Sequence, residues 1–91
     1  MMMRKNVPKI LPLYKILVYL SGSTEPKSVP EISKGVSVSY HTVRFNILKL
    51  MTLRAVENRG RKYMITEKGK TMLEEFFKEV EELKRSVGQN G

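Results

Sequence analysis

The patterned part of the chain begins with an almost unbroken apolar run. Ile10, Leu11, Leu13, Tyr14, Ile16, Leu17, Val18, Tyr19 and Leu20 are interrupted only by Pro12 and Lys15, and Ser21-Gly22-Ser23 ends the run. This predicts a helix over residues 9–21. Pro8 or Pro12 sits in the opening turn, where a missing N–H costs little, and Gly22 serves as the C-terminal cap. A helix apolar on nearly every face is buried on several sides, here between its own domain and a partner subunit.

A polar loop follows at 23–27, with Pro26. Ser28-Val29-Pro30-Glu31 then fits the S-x-x-E capping box and opens a short helix at about 29–35, which Gly35 and Ser37 break. Ser39 caps a third helix at about 40–53. In it Val43, Ile47, Leu50 and Met51 recur at helical spacing and face the core. Two short helices joined by a turn of three or four residues make a helix-turn-helix.

The period then changes from helical to alternating. Ala55-Val56-Glu57 reads as a strand, Asn58-Arg59-Gly60-Arg61 as a turn and Lys62-Tyr63-Met64-Ile65 as the returning strand. Gly60 supplies the positive φ of a tight hairpin. Thr66 caps a last helix running to about Ser86. Its apolar positions, Leu73, Phe76, Phe77, Val80, Leu83 and Val87, form an i, i+3, i+4, i+7 stripe between charged residues. The 91 residues therefore divide into an arm (1–8), a core (9–65), a long helix (66–87) and a frayed tail (88–91) within one domain. The class is mainly α with a small β-hairpin (α+β).

Charge sharpens this picture. The chain carries a formal +8, unevenly placed. Residues 1–65 hold twelve Lys/Arg against three Glu, a net +9, whereas 66–91 are near neutral at −1. The first two-thirds suits a polyanion; the last helix needs another role. There is no cysteine, no aspartate and one histidine. This leaves no thiol chemistry, no metal site, no cofactor and no acid/base constellation for an enzyme. Arg4, Lys5 and Lys9 ahead of an apolar stretch resemble a signal peptide in outline, but Pro12 and Lys15 interrupt that stretch. It is also shorter than the roughly 20 residues needed to span a bilayer. A soluble protein of the cytoplasm is expected, with no membrane partner.

The segment from Pro30 to Leu50, PEISKGVSVSYHTVRFNILKL, resembles the helix-turn-helix of ArsR, MarR and PadR-type regulators. Tyr63-Met-Ile-Thr-Glu-Lys-Gly-Lys70 resembles the wing strand and Leu-Thr-x-x-Gly lead-in to their last helix. In size and layout the chain is similar to small winged-helix proteins of archaea and archaeal viruses; for a viral protein, the cytoplasm would be the host's. Two positions depart from the pattern: Ser37 stands where the turn often has glycine, and Arg54 where glycine often follows the recognition helix. The cysteine ligands of ArsR-like metal sensors are absent.

The resemblance implies a winged helix-turn-helix with a long C-terminal dimerisation helix, binding double-stranded DNA as a homodimer. Helix 40–53 would lie in the major groove and wing 58–62 on the backbone or in the minor groove. With Val43, Ile47 and Leu50 turned inward, the outward face carries Ser39, Tyr40, His41, Arg44, Phe45, Leu48 and Lys49. Arg44 matches the two acceptors of guanine, Ser39, Tyr40 and His41 bond bases or phosphates, and Lys49 suits a phosphate. Ser39 is foremost a cap, and Phe45 and Leu48 are expected to cover the core edge rather than touch thymine methyls. Arg59, Arg61 and Lys62 crowd the wing tip, and Arg4, Lys5 and Lys9 make an arm. Leu13 and Leu17 of the first helix, with Leu73, Phe76, Phe77, Val80 and Leu83 of the last, form the expected dimer interface. A cleft between those two helices is the place for an apolar ligand, although no polar group marks one. A sequence-specific regulator and an architectural DNA coat with little sequence preference both fit these residues.

Overall fold

The computed structural model describes residues 11–90, with side chains to Ser86. The basic arm 1–8, the helix start at 9–10 and the tail end at Gly91 lie outside the described residues. Helix α1 is Pro12–Ser21, α2 Val29–Val36, α3 Tyr40–Thr52 and α4 Glu67–Asn90; between α3 and α4 come strands β1, Val56–Asn58, and β2, Tyr63–Ile65.

Pro12 stands in the first turn of α1, as its fixed φ favours. Gly22 closes the helix with φ −92°, an ordinary conformation open to other residues, so no left-handed cap forms there. Ile16, Leu17 and Leu20 are buried, and α1 packs against α2, α3, α4 and β2. Its core is thus filled mainly from its own subunit. Leu11 and Val18 remain exposed.

Residues 23–27 are not wholly loop. The Lys27 N–H donates to the Tyr63 carbonyl at 3.0 Å and the Tyr63 N–H to the Lys27 carbonyl at 2.8 Å, so Lys27 lies along β2 as a one-residue third strand. The capping box of α2 is complete: the Glu31 N–H donates to Ser28 Oγ at 3.3 Å and the Ser28 N–H to Glu31 Oε1 at 2.8 Å. The backbone bond from Ser28 holds the Glu31 carboxyl below its ordinary pKa, aided by its hydroxyl and by the charges of Lys62 and Lys27.

Gly35 does not break α2, which continues to Val36. A Cβ at Gly35 would fall within the Tyr19 ring, so this glycine permits α1 to approach α2. The chain turns at Ser37, whose φ of 56° is left-handed. Arg54, after α3, has φ 63°. Both positions where glycine is replaced therefore keep the backbone a glycine would adopt, which strains an L-residue.

Val43, Ile47 and Leu50 of α3 are buried and Met51 is half-buried, as the spacing predicts. They join Ile16, Leu17, Leu20, Ile32, Ala55, Val56 and Leu73 in one core. Each large member contributes about 1.5–3 kcal/mol on burial. Asn46 is also buried, and its amide donates to the Thr42 carbonyl at 2.8 Å.

The hairpin pairs Val56 with Ile65, Glu57 with Met64 and Asn58 with Tyr63. Asn58 thus belongs to β1, and the turn centres on Gly60 and Arg61, with φ of 59° and 67°. Two consecutive positive φ values match the twist of a two-residue hairpin. Glycine accepts this freely; Arg61 does so with its N–H bonded to Asn58 Oδ1 at 3.0 Å.

Thr66 caps α4: its Oγ accepts from the Gly69 N–H at 3.1 Å and donates to the Arg54 carbonyl at 2.7 Å. A Cβ on Gly69 would overlap the Ala55 carbonyl oxygen, so glycine lets α4 rise directly off the backbone between α3 and β1. The helix then runs past the expected end near Ser86 to Asn90.

Candidate nucleic-acid interface

The helical period that buries Val43, Ile47 and Leu50 leaves the opposite side of α3 in solvent. His41, Arg44, Phe45, Leu48 and Lys49 are exposed on and beside that side, and Ser39 and Tyr40 are exposed at the start of the helix. Ser39 is a cap: its Oγ accepts from the Thr42 N–H at 3.3 Å and donates to Thr42 Oγ1 at 2.9 Å. Tyr40 is exposed at the first turn of α3. Its ring meets His41 edge-on, with centroids 5.7 Å apart.

Phe45 and Leu48 overturn an expectation. They do not cover the core edge but are 59% and 57% exposed, more than any other large apolar side chain among those described except Leu11. In helical projection they lie with His41 and Thr52 opposite the core, with Arg44 to one side and Lys49 to the other. Lys49 Nζ stands 4.8 Å above the centre of the Phe45 ring, a cation–π contact that steadies both side chains.

At the wing, Arg59, Arg61 and Lys62 are exposed. Arg59 pairs with Glu57 at 2.7 Å, with both side chains about half in solvent. Such a pair contributes only about 0–1 kcal/mol, so a phosphate can displace the carboxylate at small cost. Arg44, Lys49, Arg61 and Lys62 take part in none of the ion pairs formed among the described residues.

The apolar surface expected for a second subunit shrinks. Leu17 and Leu73 are 0% and 6% exposed and belong to their own subunit's core, so neither offers surface to a partner. Phe76 is half-buried and stacks on Tyr14, with centroids 4.0 Å apart and planes within 10°. That stack joins α1 to α4 where an apolar cleft was expected; a groove lies instead between α1 and α2, lined by Lys15, Val18, Tyr19, Gly35 and Val36. Leu13 and Val80 are half-buried, and Phe77 and Leu83 are exposed. Val87 falls among the residues whose side chains are not described.

No group of three potential metal ligands occurs among the described residues. No described helix is long and apolar enough to cross a membrane.

A three-helix unit whose last helix is exposed on one face, followed by a hairpin carrying cations at its tip, defines a winged helix. The chain belongs to the winged helix-turn-helix family, whose sequence pattern matches residues 9–85. No curated protein sequence matches it. Among solved structures, MepR, a transcription regulator of the Staphylococcus aureus multidrug efflux pump MepA, superposes with a TM-score of 0.75 at 16% identity, over 87% of this chain and 62% of that one. A MarR family protein from Bacillus stearothermophilus gives 0.70 at 18%, over 91% and 61%. Sso10a-2, a DNA-binding protein from Sulfolobus solfataricus, gives 0.62 at 22%, over 88% and 92%. The chain thus spans about three-fifths of the length of the first two of these proteins and nearly the whole of Sso10a-2.

Proposed function

We propose that this protein is a double-stranded DNA-binding transcription regulator, without catalytic activity, that acts in the cytoplasm as a homodimer. The observation that carries the reading is the exposed set of Arg44, Lys49, Arg61 and Lys62, free of ion pairs among the described residues, on the outer face of α3 and the wing tip of a winged helix. Helix α3 enters the major groove, with Arg44 on a guanine edge, Tyr40 and His41 on bases or phosphates, and Ser39 and Lys49 on phosphates. The wing, with Arg59, Arg61 and Lys62, follows the backbone or minor groove. A twofold dimer through Leu13, Phe76, Phe77, Val80 and Leu83 sets two recognition helices about 34 Å apart, matching a pseudopalindromic site.

A second reading is an architectural DNA coat. Its support is the match in length and fold to Sso10a-2, whose described role is DNA binding. Titrating a random duplex and a pool-selected duplex across a salt series separates the two. With six to ten phosphate contacts, affinity falls by about 10³- to 10⁵-fold between about 50 and 200 mM salt. A regulator binds the selected duplex at least about a thousandfold more tightly than the random one. Equal binding with a steep salt slope makes the protein a coat, and no binding at low salt ends the DNA reading. Arg44→Ala is expected to cost about 1–3 kcal/mol at one base position; an equal loss on every sequence would make Arg44 a phosphate contact.

A further inference from the structure

We infer that Phe45 and Leu48 form an apolar reading ridge that recognises the C5-methyl groups of thymine in the major groove. The inference rests on the DNA reading and assigns it a base chemistry.

Both side chains lie on the side of α3 directly away from the core, one turn apart, and are 59% and 57% exposed. A single exposed apolar residue on a small domain is ordinary, but two adjacent ones at the crest of a helix mark a contact surface. The domain itself does not use them: Val43, Ile47 and Leu50 already join this helix to the core.

The charges beside the ridge identify what covers it. Arg44 and Lys49 flank it, and α3 contains no carboxylate. An apolar crest between two cations complements a groove whose walls are phosphate-lined and whose floor offers an apolar group. Among base pairs, only those containing thymine present such a group there, the C5-methyl. Lys49 fixes position on the phosphate wall and Arg44 reaches a guanine edge, while Phe45 and Leu48 read the methyl groups that hydrogen-bonding residues do not. Lys49, seated over one face of the Phe45 ring, leaves the ring's other face and its edge to meet the methyl.

Deoxyuridine differs from thymidine by that methyl alone, which gives a direct test. A duplex is selected from a random pool with the intact protein, then resynthesised with deoxyuridine at every thymidine, and both are titrated. The expected result is a loss of about fourfold for each methyl contacted, the value of one buried carbon. The double variant Phe45→Ala, Leu48→Ala, truncated at exposed positions, should bind the two duplexes alike and keep its circular dichroism and melting temperature. Equal binding of both duplexes by the unaltered protein overturns the inference and leaves the DNA reading standing. A loss that persists in the double variant also overturns it, because the effect then comes from duplex shape. If the double variant instead loses self-association and keeps its thymine preference, the ridge is a subunit contact and the inference fails. Failure to bind any duplex at low salt removes the DNA reading and this inference together.

Discussion

Helices α3 and α4 both leave large apolar side chains in solvent, and what surrounds those side chains differs. On α3, Phe45 and Leu48 stand between Arg44 and Lys49, and the helix has no acidic residue. On α4, Phe77 is set among Glu74, Lys78, Glu81, Glu82 and Arg85, with signs interleaved and Glu81 paired to Arg85 at 3.7 Å, and Leu83 is exposed further along the helix. Apolar exposure alone says that a surface wants a partner. The electrostatic frame says which kind: a uniformly positive one suits a polyanion, whereas a balanced one is complementary to a second copy of itself.

The comparison breaks if charge placed on α4 has no effect on assembly. Phe77→Glu with Leu83→Glu is expected to convert a dimer to a monomer in analytical ultracentrifugation. Each subunit should remain folded, because both sites are exposed. Losing the joint binding of two half-sites should weaken binding to a palindromic duplex by about 10²- to 10⁴-fold. A variant that still sediments as a dimer would place the subunit contact elsewhere.

The distinction between surface and core sharpens it next. Leu17→Ala should destabilise the subunit by about 2–5 kcal/mol in denaturant titration. Phe77→Ala should change the stability of the isolated subunit by no more than about 0.5 kcal/mol. Similar values for both would mean that the exposed stripe is part of the fold.

A change far smaller than that of Leu17→Ala, and opposite in sign, is expected at the joint between the two regions. Arg54→Gly removes an L-residue from a left-handed position. It should stabilise the protein by up to about 1 kcal/mol, seen as a rise of a few degrees in melting temperature. A fall would show that the Arg54 side chain contributes more than its backbone strain costs.

Where local chemistry decides the outcome, it was legible in the sequence. Ser28 with Glu31, Ser39, Thr66 and Gly60 each have one good use at their positions, and they have it. The inward side of α3 follows from a 3.6-residue period. Periodicity is less informative where apolar residues occupy two sides of a helix. It shows that Phe45 and Leu48 face away from Val43, but not whether another element covers them. The same gap assigned Leu17 and Leu73 to a subunit interface, since a core stripe and an interface stripe share one pattern. Gly35 and Gly69 serve close approaches of distant segments, Tyr19 and Ala55, that local reading does not reveal. The pairing of Lys27 with Tyr63 joins segments 36 residues apart through backbone groups alone, to which side-chain pattern is blind.

The junction at Thr66 and Gly69 has a mechanical consequence. One threonine hydroxyl ties the carbonyl that ends the α3 exit to the first turn of α4, and the missing side chain of Gly69 brings the helix axis onto that same backbone. The 24 residues of α4 make an arm about 36 Å long, held to the subunit at this clasp, by Leu73 in the core and by the Phe76–Tyr14 stack. Beyond Phe76 about 20 Å of helix projects, and a tilt of about 5° there would carry the far end through about 2 Å, in proportion to that length. In the proposed dimer, the separation of the two α3 helices would be geared to the seating of the long arms, and a small tilt of those arms would detune the spacing at which both could engage one duplex.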